Sequence, residues 1–250
     1  MPKSLYRVVQ ALLLLALFLF LCSKVITNQL TWYINPRFVT LTYIGIIFLA
    51  LLVYRLVIEI RLSRQHPEHN EHAHELDHAP STMNLWIMLI PLLIGILIPA
   101  RPLGSASVFA KGLRTSSPLV NSQSSNRLFE TESEQRDILG WATLFDIEDD
   151  LDPFMGQQAS VVGFVYFDEH LPEGQFFVSR ITVSCCAADG FAVVMLVDWP
   201  NATTLDQDAW VRVSGPVDKT YFNKQPEAIP LIRAETVEIV PQPDQPYLFP

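Results

Sequence analysis

Three β-rich runs follow one another closely in the second half of the chain: ASVVGFVYF (159–167), QFFVSRITVSC (175–185) and FAVVMLVDW (191–199). They are filled with Val, Ile, Phe and Tyr, and turn residues such as Pro-Glu-Gly and Trp-Pro-Asn separate the runs. Two more runs of this kind follow, AWVRVSGPV (209–217) and IPLIRAETVEIV (229–240). The pattern predicts a small all-β domain of five strands.

A Val-x-Gly motif occurs twice in these runs, at Val161–Gly163 and at Val213–Gly215. Glycine inside a strand commonly marks a bulge where a barrel strand bends. Five short strands with such bends favour a closed, OB-like five-stranded barrel, and an open β-sandwich is the alternative. We therefore expect an α+β membrane protein in which N-terminal helices precede this barrel.

The first hundred residues are apolar, and they predict two to three transmembrane helices at about residues 8–26, 38–60 and 83–100. The first run is also compatible with a signal peptide, but no small-residue cleavage site follows it. The third run contains Pro91 and Gly95, so a re-entrant or buried helix is its alternative.

Basic residues at the ends of these runs predict their orientation, because Lys and Arg concentrate on the cytoplasmic side. The bias indicates a multi-pass protein of the cell membrane with a cytoplasmic N-terminus and an extracytoplasmic C-terminal domain. The expected organisation is a transmembrane region (1–100) with a polar loop (61–82), a flexible linker (101–128) and a soluble β-domain (129–250). The flanking residues are Lys3, Arg7, Arg61 and Arg64 on one side, and Lys24 and Arg37 on the other.

The charge distribution excludes nucleic acid as a partner and supports the division into two halves. Residues 1–110 carry eight Lys or Arg and five Asp or Glu, a net charge of +3, whereas residues 111–250 carry nine and twenty-one, a net charge of −12. Nucleic-acid binding requires basic residues that neutralise phosphates, and the acidic half lacks such a surplus. The lipid bilayer and another protein are the expected partners.

The polar loop between the second and third apolar runs reads HPEHNEHAHELDH (66–78). Neutral imidazole is a common ligand of zinc, copper and nickel, and His-rich tracts are a compositional signal of metal binding. A solvated connector that binds nothing is the alternative. The candidate metal ligands are His66, His69, His72, His74 and His78.

Two neighbouring cysteines, Cys185 and Cys186, end the second β-run and precede Ala-Ala-Asp-Gly. Neighbouring side chains on a strand point to opposite faces, so both thiols serve one site only if the strand breaks there. Three interpretations remain open: two buried small side chains, a thiolate pair for a soft metal such as zinc or copper, or a redox pair. Asp189 and His170 are further candidate ligands. The sequence contains no CxxC, HExxH, GxSxG or P-loop motif, so we expect no enzyme.

Three segments resemble the YcgQ-like family of bacterial permease subunits: PLLIGILIPARPLGS (91–105), VVGFVYFDEHLPEGQFFVSRITVSCCAADG (161–190) and the terminal AETVEIVPQPDQPYLFP. The resemblance implies a membrane protein that works with a larger, YcgR-like multi-span permease, and it suggests zinc homeostasis. It implies no catalytic residues.

We therefore expect an accessory subunit of a membrane permease complex, involved in the transport or homeostasis of a divalent metal, zinc in particular. Two other functions remain open. One is a membrane-anchored metal sensor or chaperone, which would use the His-rich loop and the cysteine pair without a permease. The other is a membrane-tethered thiol redox protein that uses Cys185 and Cys186.

Overall fold

The computed structural model describes residues 3–65, 82–98, 101–111, 113–114, 129–148, 150–221 and 228–249. The chain divides into two compact units, Met1–Arg101 and Pro102–Pro250.

The N-terminal unit consists of the apolar helices α1 (Lys3–Ile26), α2 (Val39–Gln65) and α3 (Thr82–Leu97), and α1 packs against both of the others. The segments Leu5–Ile26 and Pro36–Leu62 are long and apolar enough to cross a bilayer. The two predicted N-terminal apolar helices are therefore confirmed as helices. At 1.5 Å per residue α3 is about 24 Å long, less than the roughly 30 Å of a hydrocarbon core, so its crossing stays a prediction.

Side chains of α1 contact both α2 and α3. Arg7 Nη1 of α1 lies 3.2 Å from Glu59 Oε1 of α2, so the start of one helix is paired with the end of the other. A Cβ atom at Gly95 of α3 would lie 2.8 Å from Cζ of Phe20 in α1. Glycine is therefore the residue that lets the Phe20 ring lie against the backbone of α3.

Within the described residues, the C-terminal unit contains α-helices and eight strands. Two of the helices are α4 (Ser105–Lys111) and α5 (Ile138–Ile147). The strands are β1 (Leu113–Arg114), β2 (Gln158–Tyr166), β3 (Gln175–Thr182), β4 (Phe191–Asp198), β5 (Trp210–Tyr221), β6 (Ala228–Arg233), β7 (Thr236–Ile239) and β8 (Tyr247–Leu248).

Five of these strands form a closed ring in the order β2-β3-β4-β6-β5, and β5 returns to pair with β2. All neighbours in the ring are antiparallel except β4 and β6, which are parallel. The predicted β-domain is confirmed as this ring of five strands. The short strands β1 and β8 extend the sheet and were not predicted.

The fifth predicted run, 229–240, forms two strands because of a β-bulge. Val217 of β5 is paired with Ile232 of β6, and Ser214 of β5 is paired with Thr236 of β7. The four residue steps from 232 to 236 therefore face only three steps along β5, from 217 to 214. Opposite the extra residue, a Cβ atom at Gly215 would lie 2.1 Å from the carbonyl oxygen of Arg233. Gly215 therefore permits the close approach at which the strand bends.

The ring encloses the main core, and α5 packs against it. Buried side chains such as Val161, Phe176 and Val213 fill the interior together with Trp141 of α5. The ring of Trp141 is stacked on that of Phe145. The helix begins where the carboxylate of Asp137 accepts a hydrogen bond from the Gly140 N–H at 2.8 Å.

A second, smaller core lies on the outer face of the ring, where Phe164, Ile181 and Val194 alternate with the interior residues. Val108 of α4 and Tyr247 of β8 cover this face, and each is buried. Leu103 and Val108, near the start of the predicted linker, thus pack on the β-domain. Residues 115–128 lie outside the described residues, so the prediction that they form a tether stays a prediction.

Candidate functional site

The cysteine pair lies in the turn that joins β3 to β4, residues 183–190, named here the cysteine turn. The pairing of β3 with β4 ends at Thr182, and beyond it the N–H of Val183 donates to the Leu248 carbonyl at 3.0 Å. Beyond it, the Asp189 N–H donates to the Cys186 carbonyl at 3.0 Å and the Gly190 N–H to Ala187 at 3.3 Å. Because the cysteines follow the end of the strand, the alternation that would separate their side chains does not apply.

The two thiols lie side by side. The Sγ atoms of Cys185 and Cys186 are 3.7 Å apart, and no disulfide joins them. Cys185 is exposed and Cys186 is half-buried, so neither belongs to the two buried cores of the domain. The turn therefore presents the Cys185 thiol to solvent, with the half-buried Cys186 thiol beside it.

Asp189 holds the turn in this shape. One carboxylate oxygen accepts the Cys185 N–H at 2.7 Å and the other accepts the Ser184 N–H at 3.3 Å. Burial acts to raise the pKa of Asp189, but hydrogen bonds from the thiol and N–H of Cys185 and from neighbouring N–H groups outweigh it, and the pKa is lowered. The carboxylate is therefore a charged acceptor around which the turn is organised.

The same carboxylate keeps the neighbouring thiol protonated. The pKa of Cys185 is raised to about 11. The largest cause is the hydrogen bond between its thiol and Asp189, and the second is the hydrogen bond with Cys186. Reactive redox cysteines have the opposite property, a lowered pKa that supplies thiolate at neutral pH. Without a bound cation, Cys185 is accordingly a neutral thiol near pH 7.

Of the other candidate ligands, the structure describes His170, and it does not join the thiols. In the part of the chain that the structure describes, no group of three or more His, Cys, Asp or Glu side chains is arranged to hold a metal ion. His170 lies before β3 and the cysteines lie after it, so the strand, about 25 Å long, separates them. The imidazole of His170 is paired instead with Asp168, at 2.8 Å. The candidates His66, His69, His72, His74 and His78 lie outside the described residues.

A buried guanidinium on β3 attaches the C-terminal segment close to the cysteine turn. Arg180 donates through Nε to the Pro246 carbonyl at 2.9 Å, and through Nη2 to that of Gln245 at 2.7 Å. Its guanidinium also lies 5.2 Å from the centre of the Trp210 ring. Burial lowers the pKa of Arg180. Sequence reasoning did not single out Arg180, and its one available signal was a cation inside an apolar β-run.

Comparisons with known proteins agree with this two-part organisation. Residues 9–114 match the DUF1980 N-terminal domain, and residues 139–250 match the DUF1980 C-terminal domain. The UPF0703 protein YcgQ of Bacillus subtilis (strain 168) is 25% identical over 269 residues, covering 89% of this chain and 92% of that protein. A Streptococcus mutans protein named "Putative two-component membrane permease complex subunit" is 25% identical over 264 residues, covering 90% and 92%.

The two domain matches occupy the N-terminal and C-terminal parts of the chain in the same order as the helical and β-sheet units. The resemblance to the YcgQ-like family is confirmed by the relatives, which align along most of their length. The chain is a member of the DUF1980 family.

Proposed function

We propose that this protein is an accessory subunit of a membrane permease complex. The observation that carries the proposal is the alignment of nearly the whole chain with a relative that is named as a subunit of a two-component membrane permease complex. Transporters of the inverted-repeat kind are built from many more spans than the helices α1, α2 and α3 can supply. A larger partner, a YcgR-like multi-span permease, would form the translocation path.

In this proposal α1 and α2 anchor the protein in the cell membrane, and α3 forms a third span beside the partner. Large apolar side chains cover the outside of the helices; Leu12 and Ile47, for example, are 60% and 62% exposed. In water such a surface is unfavourable, whereas in a bilayer it contacts lipid or another helix. The basic flanks support a cytoplasmic N-terminus, with the β-domain on the other side of the membrane.

The ring of five strands serves in this proposal as an OB-like barrel. Support comes from its size, its closure and the single parallel pairing between β4 and β6. OB barrels bind their ligands through one face and the adjoining loops. Because this half of the chain is acidic, a cation or a protein is a better ligand for it than a nucleic acid.

We further propose that the cargo of the complex is a divalent metal, zinc in particular. The thiols of Cys185 and Cys186, with Asp189 beside them, are one candidate site, and thiolate is a preferred zinc ligand. The second is the His-rich loop, which would collect ions at low affinity because ordering a flexible loop costs entropy. A sensor or chaperone that works without a permease would use the same residues. A redox function is less well supported, since the pKa of Cys185 is raised.

Affinity purification of the tagged, full-length protein from native membranes in mild detergent tests the permease role. We expect a multi-span membrane protein to co-purify in stoichiometric amount. The matched variant is Gly95→Leu, which places a side chain where the ring of Phe20 lies and should weaken the α1–α3 pair and the yield of the partner. Recovery of the chain without a multi-span protein would contradict the proposal.

A further inference from the structure

We infer that the cysteine turn is a two-thiolate exchange site for a zinc-class divalent cation, and that the other ligands of the bound ion come from a second protein. This inference rests on the proposed function, because it assigns the metal-handling step to named atoms and gives the permease partner a chemical role in it.

The spacing of the sulfur atoms fits one tetrahedral ion. Two sulfurs that each lie about 2.3 Å from a tetrahedral Zn²⁺ are about 3.8 Å apart. The Sγ atoms of Cys185 and Cys186 are 3.7 Å apart before any ion is bound. Binding both sulfurs to one ion therefore requires little rearrangement of the side chains, which reduces the entropy lost on binding.

The kind of ligand selects the kind of ion. Thiolates are soft ligands that favour Zn²⁺ and Cd²⁺, whereas Mg²⁺ and Ca²⁺ require oxygen. Asp189 is an oxygen donor in the same turn, but its carboxylate accepts the N–H groups of Ser184 and Cys185. We assign Asp189 a positioning role: it holds the backbone on which the two thiols converge.

The shell around the ion would remain open. Within the described ranges, no third His, Cys, Asp or Glu joins the two cysteines in a metal-holding group, and Cys185 is exposed. A zinc ion that keeps two free positions can take ligands from an approaching protein, whereas structural sites with four protein ligands are closed. The open shell is therefore suited to transfer between proteins.

The chemistry is a ligand exchange without electron transfer. Two S–H bonds break, two metal–sulfur bonds form, and two protons pass to water, so that the net charge of the turn with its ion equals that of the turn with its two protons. Formation of a disulfide between the same sulfurs would instead remove two electrons and would require an oxidant such as a thiol–disulfide oxidoreductase. The thiol count of the protein distinguishes the two reactions.

Titration of the full-length protein with Cd²⁺ tests the inference. The protein is purified in detergent under reducing conditions, with the five histidines of residues 66–78 replaced by Gln so that the loop does not compete. We expect one Cd²⁺ per chain and a thiolate-to-cadmium absorption band. Cys185→Ser and Cys186→Ser should each weaken Cd²⁺ binding by more than roughly 10- to 100-fold. That range is the loss expected when a residue that only orients a metal ligand is removed. The matched control is Cys22→Ser in α1, which should leave the titration unchanged.

Added imidazole then tests whether the shell is open. Imidazole should shift the band of the cadmium-loaded protein, because it fills the free positions. Absence of a band, a band that survives either single substitution, or a band insensitive to imidazole would overturn the inference. The loss of two titratable thiols that a reductant restores would also overturn it, in favour of a disulfide. If partner co-purification persists while the cadmium band is absent, the exchange site is wrong and the permease role stands; loss of the partner itself contradicts the permease role.

Discussion

Asp208 caps helix α4 from a distance of 103 residues along the chain. Its two carboxylate oxygens each accept a hydrogen bond from Ser105, one from the backbone N–H and one from the hydroxyl, both at 2.7 Å. Asp208 has a φ of 64°, in the left-handed region, where Asp is tolerated better than most residues. The hydroxyl of Tyr247 accepts the N–H of Leu103 at 2.8 Å and adds a second attachment. Together these bonds join the segment that follows the apolar helices to the outer face of the ring.

We expect fragment 102–250 to unfold cooperatively and at a higher temperature than fragment 126–250. The longer fragment retains Leu103 and Val108, which cover the outer core, whereas in the shorter one this core loses that part of its cover and keeps Tyr247. Burying one side chain such as Val is worth about 1.5–3 kcal/mol. Thermal unfolding followed by circular dichroism measures the difference. Equal midpoints would show that residues 102–125 contribute nothing to the fold.

Asp208→Ala should destabilise fragment 102–250 by about 1–2 kcal/mol, since a helix cap and two hydrogen bonds are lost. In fragment 126–250, which lacks Ser105, the same substitution should cost less, because only the strain of placing Ala at the left-handed φ of residue 208 remains. Asp206→Ala is the matched control, an exposed carboxylate two residues away. Urea unfolding of the unsubstituted, Asp208→Ala and Asp206→Ala forms of both fragments gives the free energies of unfolding. Their differences show how much of the effect of Asp208 depends on Ser105. A cost that is the same in both fragments would place the role of Asp208 elsewhere.

Gly215→Ala should destabilise the β-domain by at least about 2 kcal/mol, in the upper part of the range for overpacked sites. The new methyl group would lie 2.1 Å from the carbonyl oxygen of Arg233, an atom of the backbone that cannot move independently. Ser214→Ala is the control, because it removes only the 3.1 Å contact with the Ser160 hydroxyl, worth about 1 kcal/mol. Chemical denaturation measures both. A Gly215→Ala protein as stable as the control would exclude the close approach.

The pKa of His170 should lie above its ordinary value. Its hydrogen bond to Asp168 is the largest cause, and the charges of Asp168 and Glu169 add to it. Because the pKa of His170 is raised in the folded protein, its pairing with Asp168 stabilises the fold fully below the unfolded pKa of about 6.5. This contribution to the free energy of unfolding is lost as the pH rises through the folded pKa. Nuclear magnetic resonance of the imidazole across pH 5–9 measures it. Asp168→Asn should lower the pKa, and an unchanged value would rule out the pairing.

The elements that were predicted well are those whose signal is local. The run ASVVGFVYF (159–167) became β2 (Gln158–Tyr166), because β-branched and aromatic residues in a short run bounded by turns favour a strand wherever they occur. The long apolar helices were predicted for the same reason, since length and hydropathy are properties of the segment alone. The bend at 234–235 was not predicted, and the run 229–240 was expected to be one strand. The bend depends on the close approach of Gly215 from another strand, which no local pattern shows.

The sequence by itself determined the apolar, helical class of the N-terminal half and the β-rich class of the C-terminal half. These features follow from composition, hydropathy and turn residues, which act over a few neighbouring positions. Only the tertiary structure decided that the sulfurs of Cys185 and Cys186 converge to 3.7 Å, that Arg180 binds carbonyl groups of the C-terminal segment, and that Asp208 caps α4. Most of these contacts join residues far apart in the chain, and all of them depend on backbone paths that packing and strand register set, so no local pattern encodes them.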